Sequence, residues 1–123
     1  MKYACLIYSD ESGMATATQE QMQEVMGAYW KFEEEIGKAG VKLGGEALQP
    51  TMTATTVQVK NGKTLTSDGP FAETKEQLGG FYLIEAKDLD EAISWAAKIP
   101  GAWLGGRIEV RPVIDFSNMQ PPQ

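Results

Sequence analysis

The sequence predicts a single α+β domain in which one antiparallel sheet carries its helices on one face. Three observations predict this class. Strand-like runs and helical patterns follow the order β-α-β-hairpin-β-α-β. A chain of 123 residues can bury one core but not two. Two of the strand-like runs are apolar on both faces, which is typical of central strands. The resulting topology is a ferredoxin-like βαββαβ sandwich with an inserted β-hairpin over residues 1–114, followed by a tail over residues 115–123.

The N-terminal part is predicted to hold a central strand, a polar loop and a long helix. Residues 3–8, YACLIY, are apolar on both alternating sides. After the loop, Thr18 and Gln21 fit a capping box, apolar residues follow at helical spacing, and Gly40 suits a left-handed helix end. The acidic run at residues 33–35 is interpreted as a solvated outer face of this helix.

The next segment is predicted to be an edge strand followed by a hairpin. Residues 41–48, VKLGGEAL, read as a strand in which Gly44-Gly45 marks a bulge or a close backbone approach. Asn61-Gly62 lies between alternating β-formers and indicates a type I′ turn. A two-residue loop sets the register, so Val59 should oppose Thr64.

The C-terminal half repeats the strand-helix-strand pattern. Residues 81–86, FYLIEA, are again apolar on both sides, which makes this run the second central strand. Asp88 begins a capping box that opens a helix, and Pro100 ends it. Residues 107–114 alternate charged with apolar side chains, and Pro112 suits a strand at the sheet edge.

Helices on one face leave the other face of the central strands uncovered. Large exposed apolar faces are rare on monomers and usually mark an interface. Burying several hundred Å² of apolar surface per subunit contributes on the order of 10 kcal/mol of favourable free energy, before the cost of association is subtracted. We therefore expect a homodimer that packs through the helix-free sheet face.

The composition excludes several kinds of site and partner. The chain has no histidine, which removes the commonest general base and metal ligand and every Ser-His or Cys-His pair. We expect no metal site and no cofactor. The net charge of −6 disfavours nucleic acid. A single cysteine, Cys5, and an N-terminal run too short for a signal or a membrane span predict a cytoplasmic protein that enters no membrane.

The most unusual stretch is SDGPFAETKEQLGGFY, residues 67–82. A purely structural interpretation explains each of its features. Pro70 fixes a turn, Asp68 bonds turn amides, and Phe71 fills the core. Residues 74–77 fit a third capping box that would close a short helical turn before the two glycines.

A functional interpretation starts from Asp68, which lies on the same side of the predicted hairpin as Val57 and Val59 and could point to an interior. Burial would raise the pKa of such a carboxyl, or the carboxylate would hold a cation or a substrate hydroxyl. Glu46 is a second candidate acid or base. The predicted ligand-binding residues are Tyr8, Trp30, Asp68, Gly69, Pro70, Phe71, Tyr82 and Arg111.

The run DGPFAETKEQLGGFYLIEA, residues 68–86, together with MKYACLIY, GEALQP and DLDEAISWAAKIP, resembles the YCII-related, DGPF-domain family. The resemblance implies a ferredoxin-like dimeric α/β barrel. Relatives of this family include a dehydrochlorinase that uses a His-Asp pair. This chain has no histidine, so that chemistry does not carry over, and only the acidic member of the pair can be matched, by Asp68. DGPF proteins are often encoded beside extracytoplasmic-function sigma factors, which implies a regulatory or sensing role.

Three functions remain open from the sequence. The first is a dimeric module that binds a small molecule in a pocket between the sheets near the DGPF motif. The second is a cofactor-free lyase or isomerase in which Asp68 or Glu46 is the base and Tyr8 or Arg111 stabilises an enolate. The third is a structural dimer without a ligand.

Overall fold

A computed structural model describes residues 1–117, 119 and 120 of the chain. Part of the predicted tail, residue 118 and residues 121–123, lies outside the described residues. The elements are β1 (Lys2–Ser9), α1 (Glu11–Ala15), α2 (Gln19–Ala39), β2 (Lys42–Ala47), β3 (Thr55–Lys60), β4 (Lys63–Asp68), β5 (Gln77–Glu85), α3 (Leu89–Ala96) and β6 (Arg107–Pro112). Short 3₁₀ turns cover Thr51–Thr53 and Pro100–Ala102.

Four strands form an antiparallel sheet in the order β2-β5-β1-β6. The predicted central pair, β1 and β5, and the predicted edges, β2 and β6, are confirmed. The α+β class is likewise confirmed, and the strand order is compatible with a ferredoxin-like fold. Strands β3 and β4 form a separate two-stranded sheet.

The hydrophobic core lies between this sheet and the helices. Alternate residues of the central strands point into it, because side chains of a strand face opposite sides in turn. Helices α2 and α3 contribute from the other side. Helix α3 does so through alanines, which allow it to approach the sheet closely. The buried members are Tyr3, Cys5, Phe32, Ile36, Tyr82, Ile84, Ala86, Ala92, Ala96 and Ile99.

Helix α2 begins and ends where the sequence predicts. The Thr18 hydroxyl accepts a 3.0 Å hydrogen bond from the backbone N–H of Gln21, whose side chain accepts one from the Thr18 N–H. Gly40 takes a left-handed φ of 69°, which ends the helix. The predicted loop after β1 is wrong in one respect, because it contains the five-residue helix α1, capped by Asp10.

The β3–β4 hairpin also follows its sequence signal. Asn61 and Gly62 have φ values of 50° and 76°, as a type I′ turn requires. Val59 opposes Thr64, as predicted. We refer to β3 and β4 together as the ribbon.

The third capping box is wrong. Gln77 is the first residue of β5, and Gly79 and Gly80 continue that strand instead of ending a helical turn. Strands β2 and β5 approach closely at this point, which explains the glycine at position 80. A Cβ added at Gly80 would lie 2.8 Å from the backbone oxygen of Glu46. At Gly45, the predicted close approach is confirmed, since a Cβ there would lie 2.6 Å from the Phe81 oxygen.

Candidate functional site

Among the described residues, one face of the sheet carries no helix, and the centre of this face is apolar. On β1, Ala4, Leu6 and Tyr8 alternate with side chains that join the core, so these three point to the opposite side. Their neighbours Phe81 and Leu83 on β5 point the same way. We call this surface the helix-free face.

Charged residues border the helix-free face on both edges. On β6, Arg107, Glu109 and Arg111 stand beside Tyr8, Leu6 and Ala4. On β2, Glu46 stands beside Phe81. The face is therefore an apolar strip with one acidic edge and one edge of alternating charge.

The corner of residues 69–76 lies at the Ser9 end of the helix-free face. It leads into Gln77, which pairs with Ser9. The Glu76 carboxylate lies 3.8 Å from Arg107 Nη1. The corner is thus connected to the same end of the sheet as Tyr8 and Arg107.

Glu11 ties this corner to the segment between β2 and β3. Its carboxylate accepts hydrogen bonds from the backbone N–H and the hydroxyl of Thr51, at 2.8 and 2.7 Å. Its own N–H donates to Gln77 Oε1 at 2.9 Å. The sequence interpretation missed Glu11; its signal was the acidic pair Asp10-Glu11 just after a central strand.

Asp68 lies at the end of β4, opposite Thr55 and on the ribbon side of Val57 and Val59. The predicted side is confirmed, but the expectation of an interior is not met, because Asp68 is exposed in the single chain. Nor does it bond turn amides among the described residues. The Gly69 N–H donates instead to the Ala54 oxygen at 2.8 Å.

Pro70 and Phe71 of the DGPF motif are also exposed, whereas Gly69 is half-buried. Gly69 has a φ of 93°, which favours glycine, and its carbonyl accepts a 2.9 Å hydrogen bond from the Thr56 hydroxyl. Pro70 follows at the surface. Phe71 is 90% exposed, so the expectation that it fills the core is wrong for the single chain.

Two of the predicted ligand-binding residues lie on the helix side of the sheet. Tyr82 is buried, and its ring packs edge-on against Phe32 with centroids 5.1 Å apart. Trp30 is exposed on α2. The structure therefore does not bring these two together with Tyr8 and Arg111, which lie on the helix-free face.

Tyr82 takes part in a polar network that the sequence interpretation missed. Its hydroxyl donates to Glu33 Oε1 at 2.8 Å, and Lys42 Nζ donates to Glu33 Oε2 at 2.9 Å. Burial acts to raise the pKa of Glu33, but the hydrogen bonds from Lys42 and Tyr82 outweigh it and lower the pKa. Burial, and then Glu33, raise the pKa of Tyr82. Glu33 is thus a bonded partner and not merely a solvated charge.

Two surface grooves lie away from the predicted site. One, of about 450 Å³, runs between α3 and β6 and is lined by Ile93, Ala96, Ala97, Ala102, Gly106, Arg107, Ile108 and Val110. The other, of about 290 Å³, is on the outside of α2 and is lined by Lys31, Glu34, Glu35 and Lys38. Neither contains a residue of the predicted site.

Two further properties of the described residues bear on the site. Within them, no cluster of three or more Cys, Asp or Glu side chains is placed to hold a metal ion. None of the described helices combines the length and apolar character needed to cross a membrane. Cys5 is buried, and burial raises the pKa of its thiol to about 11.

The sequence of this chain is similar to those of known proteins. The family model of the YCII-related domain matches residues 1–117. A protein of Rhizobium meliloti (strain 1021), itself described as uncharacterised, is 44% identical over 124 residues, which is 99% of either chain. The similarity therefore extends over the sheet, the ribbon and the corner alike.

Proposed function

The chain belongs to the YCII-related family, and on this premise we propose that it is a homodimer that binds a small molecule between two helix-free faces, beside the DGPF corner. The two sheets would face each other as a dimeric α/β barrel. Each protomer would contribute an apolar strip and the charged residues at its edges.

The observation that carries this proposal is the apolar centre of the helix-free face, which is separate from the core. Leu6 and Phe81 are neighbours on the two central strands, both are half-buried in the single chain, and neither belongs to the core between the sheet and the helices. An apolar sheet face of this kind is normally buried. Specific interfaces of standard size bury about 800 Å² per partner, which is the area that the two paired faces would have to cover.

The proposed pocket lies at the end of the face where the corner begins. Tyr8 supplies a phenol there, and Glu46 and Arg107 supply opposite charges on the two edges. Ligand sites combine an apolar wall with a few polar groups that orient the ligand. This composition fits a small molecule with an apolar body and one or two polar groups.

The geometry favours binding over acid–base catalysis. A general base must lie within hydrogen-bond distance of the proton that it removes, and it works best where water is excluded. Asp68 and Glu46 are both exposed in the single chain. We therefore propose binding, with a regulatory role in the cytoplasm of the kind that the association with sigma factors implies.

The first test of this proposal is the oligomeric state. We expect the wild-type protein to be a dimer at micromolar concentration by light scattering or sedimentation. Leu6→Lys would place a charge at the centre of the interface and yield a folded monomer. Met52→Lys is the matched control, because Met52 is 84% exposed and lies in the turn between β2 and β3.

The second test is a thermal-shift screen of metabolites. A ligand of the proposed pocket raises the melting temperature of the wild type in a concentration-dependent way. The shift should disappear in Leu6→Lys and shrink in Asp68→Ala. A wild-type monomer would refute the dimer, and a dimer without any hit would favour the purely structural module.

A further inference from the structure

We infer that Asp68 of one protomer forms an ion pair with Arg111 of a second copy of this chain, so that the partner's Arg111 completes the pocket beside the DGPF corner. This inference rests on the proposed dimer and adds the contact that sets its orientation. It also gives Asp68 a partner, which the described residues do not supply.

Within one chain, Arg111 and the corner lie at opposite ends of the sheet. Arg111 pairs with Ala4, near the start of β1, whereas the corner joins the sheet at Gln77, which pairs with Ser9. Five residues of strand separate Ala4 from Ser9, which is about 17 Å at 3.3–3.4 Å per residue. The two predicted site residues, Asp68 and Arg111, are not an ion pair in the chain.

Both side chains lack a partner in the part of the chain that the structure describes. The ion pairs there involve Glu33, Glu34, Glu35, Glu76 and Glu85, but neither Asp68 nor Arg111. Both are exposed. An unpaired acid near one end of the molecule and an unpaired base at the other end of the sheet make the surface self-complementary.

A two-fold axis across the strands would join them. Rotation about such an axis lays one helix-free face on the other with its strands reversed, so the corner end of one sheet covers the Arg111 end of its partner. Because a two-fold interface repeats every contact, the pair between Asp68 and the Arg111 of the second copy occurs twice. Opposite charges in matching positions also select this orientation over the alternatives.

The ribbon gives independent support for a neighbour at this position. Its strands are exposed apart from Thr56, and its Val57 and Val59 side chains are 61% and 64% exposed on the side of Asp68. An isolated two-stranded sheet is marginal in water and is stabilised by cover on one face. A second copy that reaches Asp68 would also cover these valines and the exposed ring of Phe71.

The test exchanges the two charges between separate chains. Asp68→Arg and Arg111→Asp are prepared individually and then mixed in equal amounts, and the dimer dissociation constant is measured by sedimentation. In each variant alone, both pairs become repulsive, and we expect dissociation constants at least tenfold weaker than in the wild type. In the mixed dimer both pairs are attractive again, one native and one exchanged, so the constant should return to within threefold of the wild type.

Matched controls separate this contact from changes in total charge. Glu20→Arg changes the charge by the same amount as Asp68→Arg, and Lys60→Glu by the same amount as Arg111→Asp. Both control positions are exposed, and Lys60 is on the other side of the ribbon from Asp68. Neither control should weaken the dimer more than threefold. Circular dichroism of every variant confirms that it is folded.

The outcomes distinguish this inference from the proposed function. If the wild type is a dimer and either single variant dimerises as well as the wild type, the inference is refuted and the dimer stands. Weak single variants that stay weak when mixed also refute it, because the contact is then not between chains. A monomeric wild type refutes both proposals.

Discussion

The Tyr82 hydroxyl donates a 2.8 Å hydrogen bond to Glu33 across 49 positions of sequence, joining β5 to α2 on the helix side of the sheet. This contact explains why Tyr82 is unsuited to a pocket on the helix-free face. Its role is to connect the central sheet to the longest helix.

Tyr82→Phe should lower the free energy of unfolding by about 1–2 kcal/mol, because it removes a hydrogen bond to a charged group that is partly exposed. Urea denaturation monitored by circular dichroism measures the change. Ligand binding and dimerisation should be unaltered. A variant with normal stability that no longer binds ligand would show that Tyr82 belongs to the pocket after all.

The same contact predicts a dependence of stability on acid. Although burial opposes it, the bonds from Lys42 and Tyr82 hold the pKa of folded Glu33 below its usual 4.5. A lowered folded-state pKa gives a contribution that is complete above about that pH and is lost as the pH falls through the folded value. The stability difference between wild type and Glu33→Gln should therefore shrink on going from pH 6 to about pH 3. A difference that is constant over this range would contradict the assignment.

At alkaline pH the stability depends on pH in the opposite direction, because it falls as the pH rises. Burial and Glu33 raise the pKa of Tyr82 above its usual 10.0, so the folded state resists ionisation of this phenol. The contribution is present below pH 10.0 and is lost as the pH rises toward the raised value. The wild type should lose stability relative to Tyr82→Phe above this pH. Parallel stability curves for the two proteins would refute the prediction.

Two adjacent glycines offer a matched pair of substitutions. A Cβ at Gly80 would lie 2.8 Å from the Glu46 oxygen, whereas a Cβ at Gly79 would have nothing within 4 Å. Gly80→Ala should therefore destabilise the fold by about 2–3 kcal/mol through strain between β2 and β5, and Gly79→Ala by less than about 1 kcal/mol. Equal effects in thermal unfolding would mean that the two strands are not so close.

The thiol of Cys5 should be unreactive in the folded protein. It is fully buried, and its pKa of about 11 leaves very little thiolate at pH 8. Ellman's reagent should label it only as fast as the protein unfolds, whereas Ser117→Cys, at an exposed position, should provide a second thiol that reacts at once. Rapid labelling of the wild type in the absence of denaturant would contradict the placement of Cys5 in the core.

Much of the fold could be predicted because its signals are local or periodic. The Thr18 cap, the Asn61-Gly62 turn and the apolar runs of β1 and β5 each depend on residues within a few positions of one another. The wrong assignment at residues 74–77 has the same origin. The local spacing of residues 74–77 predicts a capping box, but Gln77 pairs with Ser9 across the sheet and begins β5 instead.

The candidate site was harder to predict, because its members are distant in the chain. The register of a two-residue turn predicts the correct side of the ribbon for Asp68. Its surroundings depend on where the whole ribbon lies, and no local signal contains that information. Glu11 was missed for the same reason, since its partner Thr51 is 40 residues away.

The amino-acid sequence by itself determined the α+β class, the identity of the central strands, the helix ends and the hairpin, because short-range sterics and hydrophobic periodicity specify them. Only the tertiary structure decided that Tyr8 and Tyr82 lie on opposite faces. Cys5 pairs with Tyr82 and Leu6 with Phe81. Since side chains alternate along a strand, a shift of one residue would have exchanged the two faces. Cross-strand register thus assigned Tyr82 to the core and left Phe81 on the helix-free face.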